Sequence, residues 1–218
     1  MSKDTMQLLS INVGQPEEVK YKGKQVSTSI FKTPVKGPVK VNTLNLEGDR
    51  QADLTVHGGV YKAVYLYPTE HLDYWRRQYP EKQFNYGSFG ENLSTSGLLE
   101  TDICIGDQLR IGSAEFSVTS PRFPCFKLGI KMNDSGIIKA FMQANRSGFY
   151  LMVLKEGVIS PGQGIELIGN DGYHFSIDEF SRLYALDRHN RSLLQKAINA
   201  PSLTDDWKEF FTGRLQTD

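Results

Sequence analysis

Cysteine is scarce in this chain: there are two in 218 residues, Cys104 and Cys125. An ordinary iron–sulfur cluster needs more thiolates than that, so none is expected. So few thiols also make no disulfide framework. With no signal-peptide pattern in Met1–Asn12, this points to a reduced, cytoplasmic protein. Charge of one sign is lacking as well: 25 Lys and Arg offset 25 Asp and Glu. No bulk field therefore attracts nucleic acid or an anionic membrane. No run approaches the ~18 consecutive apolar residues of a membrane span. The four histidines show no zinc-ligand spacing, and no Gly-x-Ser-x-Gly elbow supports a serine triad. A Walker loop and a flavin or nicotinamide fingerprint are also missing, as are internal repeats and low-complexity segments.

What is present is a series of short strand-like runs separated by Gly, Pro and Asn turns. Met6–Val13, Ser27–Phe31, Val39–Leu46, Ala63–Tyr67, Gln108–Ile111, Glu115–Thr119, Tyr150–Leu154 and Gly164–Ile168 are rich in Val, Ile, Leu, Phe and Tyr. Such close spacing predicts a mostly β (α+β) chain built on a barrel or sandwich, not a parallel sheet with crossover helices. Two helices interrupt the strands. One spans Thr69–Tyr79, with Leu72, Trp75 and Tyr79 on one face; the other spans Asp134–Ala144, with Asp134 as N-cap. After Asn170-Asp171-Gly172 the pattern changes. Ser176-Ile-Asp-Glu179 is a capping box, and Arg191–Ala197 and Thr204–Arg214 are amphipathic. The expected organisation is a β-barrel domain over 1–170 and a three-helix extension over 171–218. That extension packs on the barrel or on another chain, which leaves room for a homodimer.

Three clusters carry chemistry. In Ser120-Pro-Arg-Phe-Pro-Cys-Phe-Lys-Leu128, Pro121 and Pro124 impose an extended backbone and set Cys125 between Arg122 and Lys127. Nearby cations favour thiolate, the form that attacks electrophiles and binds soft metals; the plain alternative is a buried, apolar-behaving cysteine. Gly48-Asp49-Arg50-Gln51-Ala52-Asp53, followed by His57-Gly58-Gly59 and Lys62, gathers glycines and cations suited to an anion. Its alternative is a polar turn. In Phe89-Gly90-Glu91-Asn92-Leu93, Glu91 and Asn92 sit among apolar neighbours, where Glu91 could orient a basic group and Asn92 could read a heterocycle edge. A polar strand end serves as well. Cys104, between Ile103 and Ile105, reads as an inert structural thiol, and His71 as a surface or cap residue on its helix.

These motifs, with Ile105-Gly106-Asp107, resemble in order and spacing the MOSC domain, named from the C-terminal domain of molybdenum cofactor sulfurase. The pattern looks like the family's YiiM-like subgroup, whose C-terminal extension the three-helix tail matches. The resemblance covers nearly the whole chain. It implies a MOSC-type β-barrel with peripheral helices, and binding of the molybdenum cofactor, a molybdopterin with a dithiolene and a terminal phosphate. The family's cysteine maps onto Cys125, which would ligate molybdenum or carry a persulfide. Arg50, His57, Gly58, Gly59 and Lys62 would suit the anionic group; Glu91 and Asn92 would border the cofactor; Arg122 and Lys127 would steady the Cys125 thiolate. The implied activity is reduction of N-hydroxylated compounds such as base analogues, a detoxifying reaction. Its electrons would come from an electron-donor reductase protein, because the chain has no flavin or nicotinamide fingerprint and too few cysteines for an iron–sulfur cluster. The competing reading is a non-catalytic carrier of sulfur or cofactor on a Cys125 persulfide.

Overall fold

The computed structural model describes residues 6–52 and 58–217. Its strands are β1 (Gln7–Val13), β2 (Glu17–Tyr21), β3 (Lys24–Thr28), β4 (Thr33–Val35), β5 (Val39–Asn42), β6 (Asn45–Leu46), β7 (Val64–Pro68), β8 (Leu93–Ser96), β9 (Gln108–Ile111), β10 (Ala114–Pro121), β11 (Phe149–Lys155), β12 (Gly157–Ile159) and β13 (Ile165–Gly169). The helices are α1 (Glu70–Gln78), α2 (Phe126–Met132), α3 (Ile137–Ala144), α4 (Ile177–Ala185), α5 (Arg191–Ile198) and α6 (Asp205–Gln216).

Val-Tyr-Leu-Tyr-Pro of β7 is buried at every position, as expected for a strand covered on both faces. It lies inside an eight-stranded sheet of order β13-β9-β10-β11-β7-β8-β1-β4, in which only the β7–β8 pair is parallel. The strand ladders of this sheet run from β13 to β4 and form no closed barrel. The sheet instead curls until the start of β1 meets the turn before β13. Leu8 N–H donates to Gln163 O and Ile165 N–H to Met6 O, each at 2.9 Å. The architecture is mixed α+β, with a three-stranded sheet β12-β5-β6 and a separate β2–β3 hairpin beside the main sheet.

Two apolar clusters hold the fold. The larger runs without a break from sheet residues such as Ile11, Leu109 and Phe116 to the tail residues Phe180, Leu194 and Phe211, all completely buried. Ser176 caps α4 with the full capping box, and Lys196 of α5 pairs with Glu179 at 2.6 Å. Phe180 meets Trp207 edge-on at 4.9 Å, while Phe123, one residue past Arg122, stacks on Tyr184 at 3.9 Å. The tail thus packs on the sheet and on the segment that carries Cys125. The smaller cluster is aromatic: Trp75 stacks on Phe141 at 5.8 Å and donates to the Tyr67 hydroxyl at 2.7 Å. It seats α1, α2 and α3 against β7.

Some elements differ from expectation. Helix α2 begins directly after Cys125, so the proline-imposed extended stretch ends there. Asp134 does not cap α3. Gly136 stands at that position, and Asp134 Oδ1 accepts the Gly136 N–H at 2.8 Å. His71 is buried, 4% exposed, and is not a surface group.

Candidate cofactor pocket

Strand β10 delivers the centre of the site. Its ladder with β11 ends at Pro121↔Phe149, and the chain continues extended through Arg122 to Cys125, whose carbonyl accepts Leu128 N–H at 3.0 Å to start α2. Cross-strand partners Tyr65 of β7 and Tyr150 of β11 stand beside this segment. A cavity of about 110 Å³ opens there, lined by Thr28–Ile30, Lys32, Asp49–Ala52, Lys62, Tyr65, Phe89, Gly90, Asn92, Arg122, Cys125, Lys127 and Tyr150. Gly90 is required at the wall: its φ is +79°, and a Cβ would meet Ile30 Cγ1 at 2.8 Å.

The wall carries five basic side chains, Lys32, Arg50, Lys62, Arg122 and Lys127, against one acidic one, Asp49. Asp49 is already committed: it pairs with Lys32 and accepts Gly14 N–H at 2.8 Å and Asn92 Nδ2 at 2.9 Å. Burial pulls the Lys32 ammonium down, and the Asp49 carboxylate opposes that pull. Arg122 is 6% exposed; its guanidinium lies over Tyr65 at 5.5 Å and Phe141 at 5.4 Å. Burial works against its charge, but Tyr65, Tyr150 and Cys125 outweigh burial and hold it above the usual arginine value. Its Nη1 nevertheless has no hydrogen-bond partner, and neither has the buried Oγ of Ser29 in the same wall. Orphaned buried donors are rare because they cost roughly 1–3 kcal/mol each. In a cation-rich pocket they are places prepared for an acceptor.

Of the residues singled out in the sequence, Arg50, Lys62, Asn92, Arg122, Cys125 and Lys127 meet in this one wall. Arg50 is exposed at the rim, and Cys125 is half-buried. Gly58 and Gly59 are not in the wall; Gly59, at φ +93°, starts the 3-10 turn Val60–Lys62 that carries Lys62 to it. His57 and Asp53 lie outside the described residues. Glu91 is turned away from the cavity. Its carboxylate accepts Gly87 N–H at 2.6 Å, Phe89 N–H at 2.9 Å and Ser94 Oγ at 3.0 Å, and burial pushes its pKa up. It shapes the Gly87–Gly90 turn. Asn92 reaches the wall, but its amide is spent on Tyr65 N–H, Asn12 O and Asp49, so it ties β1, β7 and the Asp49 loop together.

Sequence reasoning missed Lys32, Tyr65, Tyr150 and Lys131. Lys131 lies behind the wall, donating to Ile30 O at 2.8 Å and Gly87 O at 2.7 Å, with burial lowering its pKa to about 8. Tyr65 and Tyr150 lie in strands, Lys131 on α2 and Lys32 between β3 and β4, and none had a local signal that marked it for the pocket.

Among the described residues no group of three or more His, Cys, Asp and Glu side chains could hold a metal ion. What the donor set fits is a group that brings its own ligands: one thiol for a soft metal, and a ring of cations, with the unpartnered Nη1 of Arg122, for an anion.

The family model for the MOSC domain matches residues 53–166. YflK of Bacillus subtilis (strain 168) is 36% identical over 211 residues, 97% of this chain and 95% of that protein. The crystal structure of YiiM from Geobacillus stearothermophilus superposes with a TM-score of 0.80 at 37% identity, covering 96% of this chain and 99% of that one. A reductase of Gibberella moniliformis is 29% identical over 198 residues; the match takes in 89% of this chain but 35% of that longer protein. The chain belongs to the MOSC domain family, in its YiiM-like subgroup.

Proposed function

We propose that the pocket holds the molybdenum cofactor and that the chain reduces N-hydroxylated compounds, base analogues among them. The observation that carries this reading is the convergence in one wall of Cys125, the unpartnered Nη1 of the buried Arg122, and four further cations. Similarity to a reductase supports the reaction class.

In this reading the Cys125 sulfur is the protein's ligand to the metal. Arg122 meets the anionic face of the cofactor from inside the pocket, and Arg50, Lys62 and Lys127 meet it at the rim. At about 110 Å³ the cavity takes one end of so large a group, so the rim cations would carry the rest. When bound, the cofactor supplies two-electron removal of oxygen. The overall change is N–OH plus two electrons and two protons, giving N–H and water. Burial raises the Tyr150 pKa, so its phenol stays protonated beside the Arg122 guanidinium. Its O–H is then free to hydrogen-bond a departing oxygen at the pocket wall. The electrons come from a separate reductase protein.

The test is molybdenum content by mass spectrometry in wild-type and Cys125→Ser protein from a cofactor-producing host, with turnover under an artificial reductant. Metal and activity in the wild type, both lost in the variant, support the reading. Turnover without any electron source would sink it. Sulfane sulfur on Cys125 with no metal retained would put the carrier function in its place.

A further inference from the structure

A buried polar chain lies behind the pocket, and no sequence motif announced it. Arginine has only donors, so the 2.8 Å contact from Arg146 Nη1 makes His71 Nδ1 an acceptor. The ring proton then sits on Nε2 and is donated to Glu100 Oε2 at 2.7 Å. His71 is therefore a neutral, fixed tautomer between a cation and an anion. The other carboxylate oxygen, Glu100 Oε1, accepts Gly148 N–H at 2.7 Å.

From Gly148 the chain reaches the pocket in two ways. Gly148 O accepts the Arg122 N–H at 3.3 Å, and the neighbouring Ser147 O accepts the Tyr65 hydroxyl at 2.8 Å. Tyr65 is the ring on which the Arg122 guanidinium rests. The turn can hardly be built another way, because Gly148 has φ +58° and a Cβ there would lie 2.4 Å from Leu66 O. Its far side is tied down as well. Asn145 Nδ2 donates to Asp178 Oδ1 at 2.6 Å, and Asp178 N–H donates to Glu100 O at 2.9 Å.

Arg122 needs such support. The β10–β11 ladder ends one residue before it, Pro124 can donate no backbone hydrogen bond, and Nη1 has no partner to fix it. Glu100 and His71, 3% and 4% exposed, are costly groups to bury unless something is gained from their placement.

We propose that His71, Glu100 and Arg146 are positioning residues: they fix the Ser147–Gly148 turn, and through it hold the Arg122 guanidinium over Tyr65 and beside Cys125. The inference rests on the reading of Arg122 and Cys125 as the pocket's working groups, and its test needs no cofactor.

The readout is the rate of Cys125 alkylation by iodoacetamide, followed by peptide mass spectrometry between about pH 6 and 9, in a Cys104→Ser background. Glu100→Gln and His71→Ala should slow alkylation near neutral pH by ~3–10-fold and move the profile to higher pH. His71→Gln, which can still accept from Arg146 and donate to Glu100, should keep the wild-type rate. Arg146→Gln, a milder change at a half-buried site, should slow the reaction in the same direction and serves if Glu100→Gln does not fold. Unchanged rates in these variants overturn the inference. So do faster rates, which would report a loosened loop and nothing more than structural support. Arg122→Gln is the reference. If it slows alkylation while Glu100→Gln and Arg146→Gln do not, only the positioning role falls; if it leaves the rate unchanged, the reading of the pocket falls with it.

Discussion

The two cysteines occupy regions of opposite electrostatic character. Cys104 lies in the turn Ile103–Asp107, with its own N–H donating to Asp107 Oδ2 at 2.7 Å and with Glu179 and Asp171 nearby. Burial first, then these carboxylates, push its thiol up to about 11. Cys125 lies between Arg122 and Lys127 in a wall where bases outnumber acids, and it is among the groups that hold the Arg122 charge in place. Both are half-buried, so exposure does not distinguish them. The sign of the neighbouring charge does: one turn suppresses the sulfur anion, and the other collects cations around it.

Removing the sulfur on the cationic side should have the largest effect. Cys125→Ser is expected to abolish molybdenum retention and reductase turnover, while moving the thermal unfolding free energy by less than about 1 kcal/mol, because the change is nearly isosteric. Metal analysis and calorimetry on the same preparation check both halves. Arg122→Gln should come next. It keeps a polar group but removes the buried charge, and cofactor retention should fall by roughly 10- to 100-fold. Equal retention in the variant would show that Cys125 and the rim cations suffice.

The thiols can also be compared directly. In wild-type protein at about pH 7, iodoacetamide should label Cys125 at least ~10-fold faster than Cys104. Equal labelling, read by peptide mass spectrometry, would erase the distinction that the two charge environments draw.

The parts of this arrangement visible in the sequence are those whose cause is local. The capping box at Ser176, the apolar face of Leu72 and Trp75, and the three tail helices are written in residues a few positions apart. The β2–β3 hairpin was read only at its end. Glu17, Glu18, Lys20 and Lys24 are exposed, and Val19, Tyr21 and Val26 are too few and too little buried to announce it. In the pocket, Arg122, Cys125 and Lys127 could be read together because they share one segment, as could Arg50 and Lys62 on their loop. Tyr65 and Tyr150 could not, since they meet through a strand register that pairs positions 85 apart. His71 was misplaced for the same reason. What buries it is Glu100 and Arg146, and neither lies on its helix.

The smallest effect belongs to the acidic side of the comparison. Cys104→Ser should leave molybdenum retention and turnover largely intact, since Cys104 lines no part of the pocket wall. It should still leave a trace in alkaline stability, and the sign follows from the proton count. A cysteine raised to about 11 in the folded state keeps its proton while the unfolded chain, with an ordinary thiol near 8.5, has lost it. The folded form then binds more protons, so stability falls as pH rises from about 9 toward 11. Because Cys104 is partly exposed, solvent screening holds this to on the order of 1 kcal/mol. Lysines and tyrosines titrate in the same range, so the quantity to measure is the difference between wild type and variant. Urea midpoints at about pH 8 and 10.5 should show the wild type losing more stability than Cys104→Ser between those points. An equal loss in both would mean that neither burial nor the carboxylates around Cys104 restrain its ionisation, and the contrast between the two cysteines would then rest on the Cys125 side alone.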